Sequence, residues 1–283
     1  MSVTTKATIA SFGGKLLKLS HAAKSTKCEM NFNLYLPPQA ATQKVPVLIY
    51  LSGLTCTADN CSEKGFFQHG ASKKGIAVLY PDTSPRGLEV PGENDAWDFG
   101  TGAGFYVNAT KAPYDNGYNM YSYVTEELPQ TVFAAFSQLD SSRVSITGHS
   151  MGGHGALTLF LRNPGKYKSV SAFAPISNPI NCPWGQKAFS GYLGDDQQKW
   201  KEHDATELIK QWKGPLDVLI DVGTGDNFYK QGQLLPENLE KAAKEAGVEG
   251  VKVRYQPDYD HSYFTMATFS DDHVEHAAKY LLQ

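Results

Sequence analysis

A chain of 283 residues, 41% of them hydrophobic, is long enough to bury the core of one α/β domain. Its formal net charge of −3, without a block of basic residues, argues against nucleic acid or an anionic membrane as a partner. The first residues lack the apolar run of a secretory signal, and no segment has the roughly 20 apolar residues that span a membrane. We therefore expect a soluble, cytoplasmic protein.

The four cysteines are too few and too scattered for a disulfide framework. They are Cys28, Cys56, Cys61 and Cys182. Cys56 and Cys61 could be zinc ligands, but the chain offers no second cysteine pair to complete such a site. The sequence therefore predicts free thiols, and neither a metal nor another cofactor.

The first third of the chain contains several strand patterns. Alternation of apolar and polar residues over 12–36 predicts antiparallel strands at one edge of a sheet, ending at Pro37 and Pro38. Apolar runs at 45–51 and 76–80 predict strands covered on both faces, with one helix from about residue 61 to 74 between them. Buried strands that alternate with helices predict an α/β fold with a mostly parallel sheet and helices on both faces.

Residues 81–119 differ from this pattern because they are rich in glycine, proline and aromatic residues. Long loops inside a compact domain are often functional, and we expect this one to lie over the carboxyl edge of the sheet. The glycine-rich run at 100–104 neither follows a strand nor opens a helix, so it does not predict a phosphate site.

The remaining residues continue the alternation of strands and helices. We expect helices at 120–136 and 235–246 and a last helix through Leu281, with strands at about 144–147, 169–173, 216–222 and 251–255. Residues 175–213 have the character of a small cap-like insertion with polar helices. No internal repeat or linker is present, so residues 1–283 are expected to form a single α/β domain.

The segment Gly148-His-Ser-Met-Gly152 stands between the strand at 144–147 and a helical pattern. Gly-x-Ser-x-Gly in that context is the nucleophile elbow of α/β-hydrolases. The sharp turn pushes the oxygen of Ser150 clear of the backbone, and the crowding favours glycine two positions to either side. The amide of Met151, at a helix N-terminus, would then stabilise a developing oxyanion.

A serine nucleophile needs a base within reach, and the base needs an orienting carboxylate. In α/β-hydrolases these residues follow in the chain order Ser, Asp or Glu, His. Ser150, Asp226 and His261 have this order, and each follows an expected strand of the parallel sheet. Asp221 is the weaker alternative because it lies inside its strand, and Asp260 because it adjoins His261.

Other histidines are less suitable as the base. His149 and His154 lie so close to Ser150 in sequence that we expect them to point away or pack into the helix. His273 and His276 lie about one turn apart on the last helix and predict a solvated or packed face.

The second oxyanion donor of this fold comes from the loop after an earlier central strand. Leu54 follows the strand 45–51 in the segment Ser52-Gly53-Leu54, and Gly53 would allow close approach of the backbone. We therefore assign the second donor to the Leu54 amide, with an ordinary strand-to-loop turn as the alternative.

With these residues assembled, the sequence resembles the S-formylglutathione hydrolases, the family also called esterase D. The matching blocks are LSGLTCT at 51–57, PDTSPRG at 81–87, WDFGTGAGFY at 97–106, GHSMGGHG at 148–155, SAFAP at 171–175, PWGQKAF at 183–189 and YDHSY at 259–263. The family often has Gln in place of Val222 and Tyr in place of Phe264, two departures outside the triad.

The resemblance implies a cytoplasmic, homodimeric enzyme that hydrolyses S-formylglutathione to glutathione and formate in formaldehyde detoxification. It implies Ser150, Asp226 and His261 as the triad, with the amides of Leu54 and Met151 as oxyanion hole. The alternative is a general short-chain carboxylesterase or acyltransferase on the same fold. A non-enzymatic binding module is disfavoured because such modules usually lose a triad member.

A formyl group is minimal, so we expect a tight acyl pocket with Trp97 and Trp184 as walls. Cys56, two residues beyond Leu54, should lie near the site, as a buried small residue or alternatively as a thiol sensitive to reagents. Lys187 and Arg86 are the charged candidates for binding the carboxylates of glutathione.

Overall fold

The central sheet has nine strands in the computed structural model, which describes residues 2–283. The strands are β1 (Thr4–Ser11), β2 (Gly14–Ala22), β3 (Glu29–Leu36), β4 (Val45–Leu51), β5 (Ala77–Pro81), β6 (Leu139–Gly148), β7 (Val170–Phe173), β8 (Val218–Gly223) and β9 (Val251–Gln256). Their order in the sheet is β1-β2-β3-β5-β4-β6-β7-β8-β9. Strands β1 to β3 pair antiparallel with one another and with β5, whereas every pair from β5 to β9 is parallel. The predicted mostly parallel sheet is confirmed.

Strand β4 is apolar at nearly every position because both faces of the sheet are covered there. Val47, Ile49 and Leu51 join the core on one face of the sheet, while Leu48 and Tyr50 join the core on the other. Because successive side chains of a strand point to opposite faces, a strand covered twice needs apolar residues without alternation.

The helices are α1 (Ala58–Lys64), α2 (Phe67–Lys74), α3 (Met120–Ser122), α4 (Leu128–Ala135), α5 (Met151–Arg162), α6 (Pro183–Leu193), α7 (Gln197–Trp200), α8 (Ala205–Ile209), α9 (Asn227–Lys230), α10 (Pro236–Glu245) and α11 (Tyr263–Leu281). Residues of α2 and α11 pack into one core, and residues of α4, α5 and α10 pack into the other. The predicted helices on both faces are therefore confirmed. Of the helices in residues 2–283, none combines the length and the apolar character that crossing a membrane requires.

Two predicted elements differ in detail. The helix expected at 61–74 is two helices, since Thr57 caps α1 and starts it earlier, and Phe66 interrupts it with a φ of 64°. The sequence pattern missed β1, whose residues are almost all exposed and therefore carry no apolar alternation. The helix expected at 120–136 is present but includes a π-helical turn, Tyr123–Glu127, which ends two residues before Pro129, whose ring nitrogen cannot donate within the helix.

Two long segments interrupt the alternation of single helices and strands. Between β5 and α3 the chain has no strand or α-helix, only a 3₁₀ turn at Tyr114–Asn116 and isolated bridges. Between β7 and β8 it forms α6, α7 and α8. Both segments supply residues to the cavity at the carboxyl ends of the parallel strands, described next.

Candidate active site

Ser150 occupies the turn between β6 and α5 in a strained conformation, with φ 59° and ψ −119°. Few residues other than glycine adopt a positive φ, so the surrounding contacts must hold this one. The amide of Ser150 donates to the carbonyl of Phe173 at 2.9 Å, and its carbonyl accepts from the amides of His154 and Ile176 at 3.0 and 3.2 Å. The elbow is thus fixed from the helix and from the end of β7.

The two glycines of the motif are explained by close contact between backbones. A Cβ atom at Gly152 would lie 2.0 Å from the carbonyl oxygen of Leu51, and one at Gly148 would lie 2.2 Å from that of Gly152. Neither position can hold a side chain unless the strand or the helix moves.

His261 lies in the loop between β9 and α11, and its Nδ1 is 2.5 Å from Oδ2 of Asp226. Asp226 follows β8 and is fully buried. Its Oδ1 caps α9 by accepting from the amides of Phe228 and Tyr229 at 2.7 and 3.3 Å. These two bonds orient the carboxylate so that its second oxygen faces the imidazole.

The rival carboxylates have other partners. Asp221 accepts hydrogen bonds from Arg254 (Nε, 2.8 Å), from His273 (Nε2, 2.8 Å) and from Gln256 (2.7 Å). Burial by itself would raise the pKa of Asp221, but the bonds from His273 and Arg254 outweigh it and lower the pKa to about 2. Asp260 accepts from the amide of Ser262 at 2.9 Å. Of the three, Asp226 is the one bonded to His261.

The environment of His149 differs from the expectation that it points away from the site. Its ring centroid lies 4.4 Å from that of His261, and its side chain lines the same cavity as Ser150. Burial, and then the neighbouring charge of His261, hold the pKa of His149 well below its usual value, so this imidazole stays neutral. His154, as expected, packs into the interior, where its Nε2 donates to the carbonyl of Phe105 at 3.0 Å.

Ser150 and His261 open into one cavity of about 170 Å³. Its lining consists of Gly53, Leu54, Thr55, Cys56, Trp97, His149, Ser150, Trp184, Phe228, His261 and Tyr263. A larger cavity of about 590 Å³ lies between residues 212–216 and 246–250 and contains none of the predicted site residues. The small cavity is the one in which the chemistry of a nucleophilic serine is available.

Two backbone amides are candidates for an oxyanion hole at Ser150: that of Leu54, which lines the cavity, and that of Met151, the next residue along the chain. The Met151 amide is the first of α5, and the Leu54 amide belongs to the turn after β4. Within residues 2–283 neither amide donates a hydrogen bond to the protein. Unpaired amides beside a nucleophile are suited to bind a developing oxyanion.

The aromatic wall contains two predicted and two unpredicted residues. Trp97 and Trp184 meet edge to face with centroids 5.6 Å apart. Phe228, which the sequence did not single out, contacts both Trp184 and His261, at centroid distances of 4.7 and 4.8 Å. Tyr263 also lines the cavity. Its place in the YDHSY block, two residues after His261, was the signal available in the sequence.

Cys56 lies in the cavity wall and is also largely buried, with its Sγ 3.7 Å from the hydroxyl of Tyr263. Burial raises the pKa of the Cys56 thiol, so it is protonated at neutral pH. All four cysteines are free thiols. Among residues 2–283 no three His, Cys, Asp or Glu side chains come together as metal ligands.

Neither of the charged residues predicted to bind the carboxylates of glutathione lines this cavity. Lys187 forms an ion pair with Asp98. Arg86 forms one with Asp82, with Nε 2.9 Å from Oδ2, and borders a different cavity. Both cations are already neutralised by carboxylates of the chain.

Comparison with known proteins gives consistent matches. Residues 23–276 match the model of the Esterase family. Over 271 residues, 95% of each chain, the sequence is 57% identical to an S-formylglutathione hydrolase of Rattus norvegicus. It is 53% identical over 272 residues to one of Arabidopsis thaliana. The structure of an S-formylglutathione hydrolase from Agrobacterium tumefaciens superimposes with a TM-score of 0.94 at 45% identity, covering 99% of this chain and 100% of the other.

Proposed function

Because the chain belongs to the esterase family of the S-formylglutathione hydrolases, we propose that it hydrolyses S-formylglutathione to glutathione and formate. The observation that carries this proposal is the similarity to named S-formylglutathione hydrolases over nearly their whole length. The 2.5 Å bond between His261 and Asp226, at a cavity shared with Ser150, supports serine catalysis.

In the first half of the reaction, the Ser150 oxygen attacks the formyl carbon while His261 takes the hydroxyl proton. The carbonyl oxygen becomes an oxyanion that accepts hydrogen bonds from the amides of Leu54 and Met151. Collapse of this intermediate breaks the carbon–sulfur bond, and protonated His261 gives its proton to the sulfur. Glutathione leaves as a thiol and Ser150 carries the formyl group.

In the second half, a water molecule attacks the formyl ester while His261 takes one of its protons. The same two amides hold the second oxyanion. The ester bond then breaks, the proton returns from His261 to the oxygen of Ser150, and formic acid leaves and releases its remaining proton to water to become formate. Asp226 accepts the hydrogen bond of the His261 ring in both halves and stabilises the imidazolium that forms in each.

The size of the cavity supports a short acyl group. Drug-sized ligands occupy pockets of roughly 300–1,000 Å³, whereas this cavity measures about 170 Å³. Trp97, Trp184 and Phe228 enclose it with large rings, which leaves little room for a longer chain.

The proposal is tested by kinetics of the purified protein with S-formyl-, S-acetyl- and S-butyrylglutathione. We expect kcat/KM to fall by at least about tenfold with each lengthening, since every poorly fitted methylene costs about 1–3 kcal/mol. Ser150→Ala should fold normally and lose turnover of all three. Equal rates for the three acyl groups would indicate a general carboxylesterase, and transfer of the acyl group to an alcohol in preference to water would indicate an acyltransferase.

We further propose a single-domain chain that acts as a cytoplasmic homodimer on a small-molecule substrate in formaldehyde detoxification. Light scattering should then give twice the chain mass of 31.0 kDa. A mass of one chain would contradict the dimer without affecting the proposed reaction.

A further inference from the structure

The loop that carries the Leu54 amide is a strained turn. The amide of Cys56 donates to the carbonyl of Gly53 at 3.3 Å, which closes a turn with Leu54 and Thr55 at its centre. Thr55 has a φ of 67°, a value that β-branched residues rarely adopt. A type II turn requires such a φ at this position and normally has glycine there. The turn therefore needs outside contacts to keep its conformation.

Those contacts converge on the residues after Leu54. The amide of Thr55 donates to the carbonyl of Gly102 at 2.9 Å. The carbonyl of Cys56 accepts two hydrogen bonds, from the Thr83 hydroxyl at 2.5 Å and from Nη2 of Arg86 at 3.1 Å. The Cys56 carbonyl belongs to the peptide that follows the turn, so these bonds hold the residue whose own amide closes the turn onto Gly53.

Arg86 is itself held rigidly. Its Nε and Nη2 donate to the two oxygens of Asp82 at 2.9 and 3.0 Å, a two-bond pairing that fixes the plane of the guanidinium. Asp82 is buried and also accepts from the amide of Thr83 at 2.7 Å. Asp82, Thr83 and Arg86 thus form one unit, which we call the turn clamp, whose two donors end on the Cys56 carbonyl.

We propose that Arg86 is a positioning residue of the oxyanion hole: through the turn clamp it holds the Leu54 amide at the distance that the transition state requires. The inference rests on the proposed function, in which Leu54 is an oxyanion donor. It replaces a contact with the carboxylates of glutathione as the role of this arginine. An amide held only by the strained turn would move away from the oxyanion, and small misplacements at such a site are costly.

The first test measures kcat and KM for Arg86→Met with two substrates, S-formylglutathione and the uncharged ester 4-nitrophenyl acetate. Loss of one oxyanion donor costs about 10²–10³ in kcat, so a misplaced donor should cost about 10–100-fold. We expect this loss in kcat for both substrates, with each KM within about twofold. A rise in KM confined to the glutathione thioester would overturn the proposal in favour of substrate binding.

The second test measures the affinity of a phenylboronic acid, which bonds to the serine oxygen and places an anionic oxygen where the oxyanion forms. Arg86→Met should weaken this affinity by about the same factor as kcat, an effect that simple loss of stability would not produce. Thr83→Val removes the other donor of the turn clamp and should also lower kcat and the affinity for the boronic acid. Thr83→Ser keeps the hydroxyl and should retain both.

Arg143 provides a matched control. Like Arg86 it pairs with a nearby carboxylate, Asp140 at 2.7 Å, and donates to backbone carbonyls, those of Leu281 and Lys44, but it lies in the first half of β6, far along the strand from Ser150. Arg143→Met should keep both kcat and boronate affinity. If wild type is active and Arg86→Met and Thr83→Val retain full kcat and boronate affinity, the positioning role is wrong. If wild type itself turns over neither substrate, the proposed function fails first.

Discussion

At the scale of single residues, the two oxygens of Asp226 have separate partners. One accepts two amides at the start of α9, and the other faces His261. A carboxylate held in this way keeps the proton of the imidazole on Nδ1, which leaves Nε2 free to accept the proton of a serine. Asp221, two residues before the end of β8, instead pairs with Arg254 and His273 and binds the last helix to the sheet.

Substitution of the two aspartates should therefore have opposite effects, one on catalysis and the other on stability. Asp226→Asn should lower kcat about 10⁴-fold, because an amide nitrogen facing His261 favours the wrong tautomer. Asp221→Asn should leave kcat within about threefold but lower the free energy of unfolding by about 3 kcal/mol, because the Arg254 guanidinium and the buried ring of His273 lose the charged acceptor that they share. Steady-state kinetics and urea unfolding of both variants check this. An inactive, stable Asp221→Asn beside an active Asp226→Asn would reverse the assignment.

At the scale of elements, the turn from β6 into α5 is closely packed on several sides. Helix α5 is buried along nearly its whole length, and its glycines approach neighbouring segments closely: a Cβ at Gly153 would lie 2.9 Å from Pro175, and one at Gly155 would lie 2.5 Å from the ring of Tyr106. Short side chains let the helix begin directly behind the elbow, which brings the Met151 amide beside Ser150. Packing of the helix and the geometry of the oxyanion hole therefore depend on the same residues.

Gly152→Ala tests this dependence. The new methyl would lie 2.0 Å from the Leu51 carbonyl, and since backbone atoms are on both sides the helix must shift. We expect a loss of about 3 kcal/mol in unfolding free energy, together with a fall in kcat of at least about 100-fold as the Met151 amide moves. Urea unfolding and kinetics measure the two effects.

The control for this variant is Gly247→Asn. Gly247 has a φ of 67° with open space around it, and Asn tolerates that conformation. This substitution should cost less than about 1 kcal/mol and leave kcat unchanged. A Gly152→Ala protein as stable and as active as the control would show that the elbow has room that the structure does not reveal.

At the scale of the whole molecule, the sheet order assembles the site from distant parts of the chain. Ser150, Asp226 and His261 follow β6, β8 and β9, which lie on one side of β4, the strand before the Leu54 turn. Parallel strands end at one edge, so all four loops converge there. The same architecture buries titratable groups, among them His154, a fully buried residue of α5.

This burial predicts instability in acid. Burial lowers the pKa of His154 from its ordinary 6.5 to about 4, so the folded protein favours the neutral imidazole. The stability that depends on the neutral form is complete above pH 6.5 and is lost as the pH falls from 6.5 through 4. For this residue alone the loss reaches about 3 kcal/mol.

The matched variant is His154→Gln, which keeps an amide donor for the Phe105 carbonyl but cannot be protonated. Between pH 7.5 and pH 4 its unfolding free energy should fall by about 3 kcal/mol less than that of wild type. At pH 7.5 the variant should be the less stable of the two. Urea unfolding at several pH values measures how the unfolding free energy of each protein changes with pH. The same change in both proteins would mean that His154 does not titrate in this range.

Features with a local physical cause could be predicted from the amino-acid order. The elbow requires glycines around Ser150 because backbones meet there, and a doubly covered strand such as β4 requires an unbroken apolar run. The order of Ser150, Asp226 and His261 along the chain, combined with the convergence of parallel strand ends, was enough to propose the triad. Strand β1, whose exposed residues carry no such pattern, was missed.

Contacts between distant segments could not be predicted in the same way. His149 turns toward His261, which is 112 positions later in the printed sequence, and Phe228 packs on the same ring. Arg86, expected at the substrate, instead binds Asp82 and the carbonyl of Cys56. The direction of a side chain and the partner that neutralises its charge depend on which segments pack together, and that is a property of the folded chain rather than of neighbouring residues.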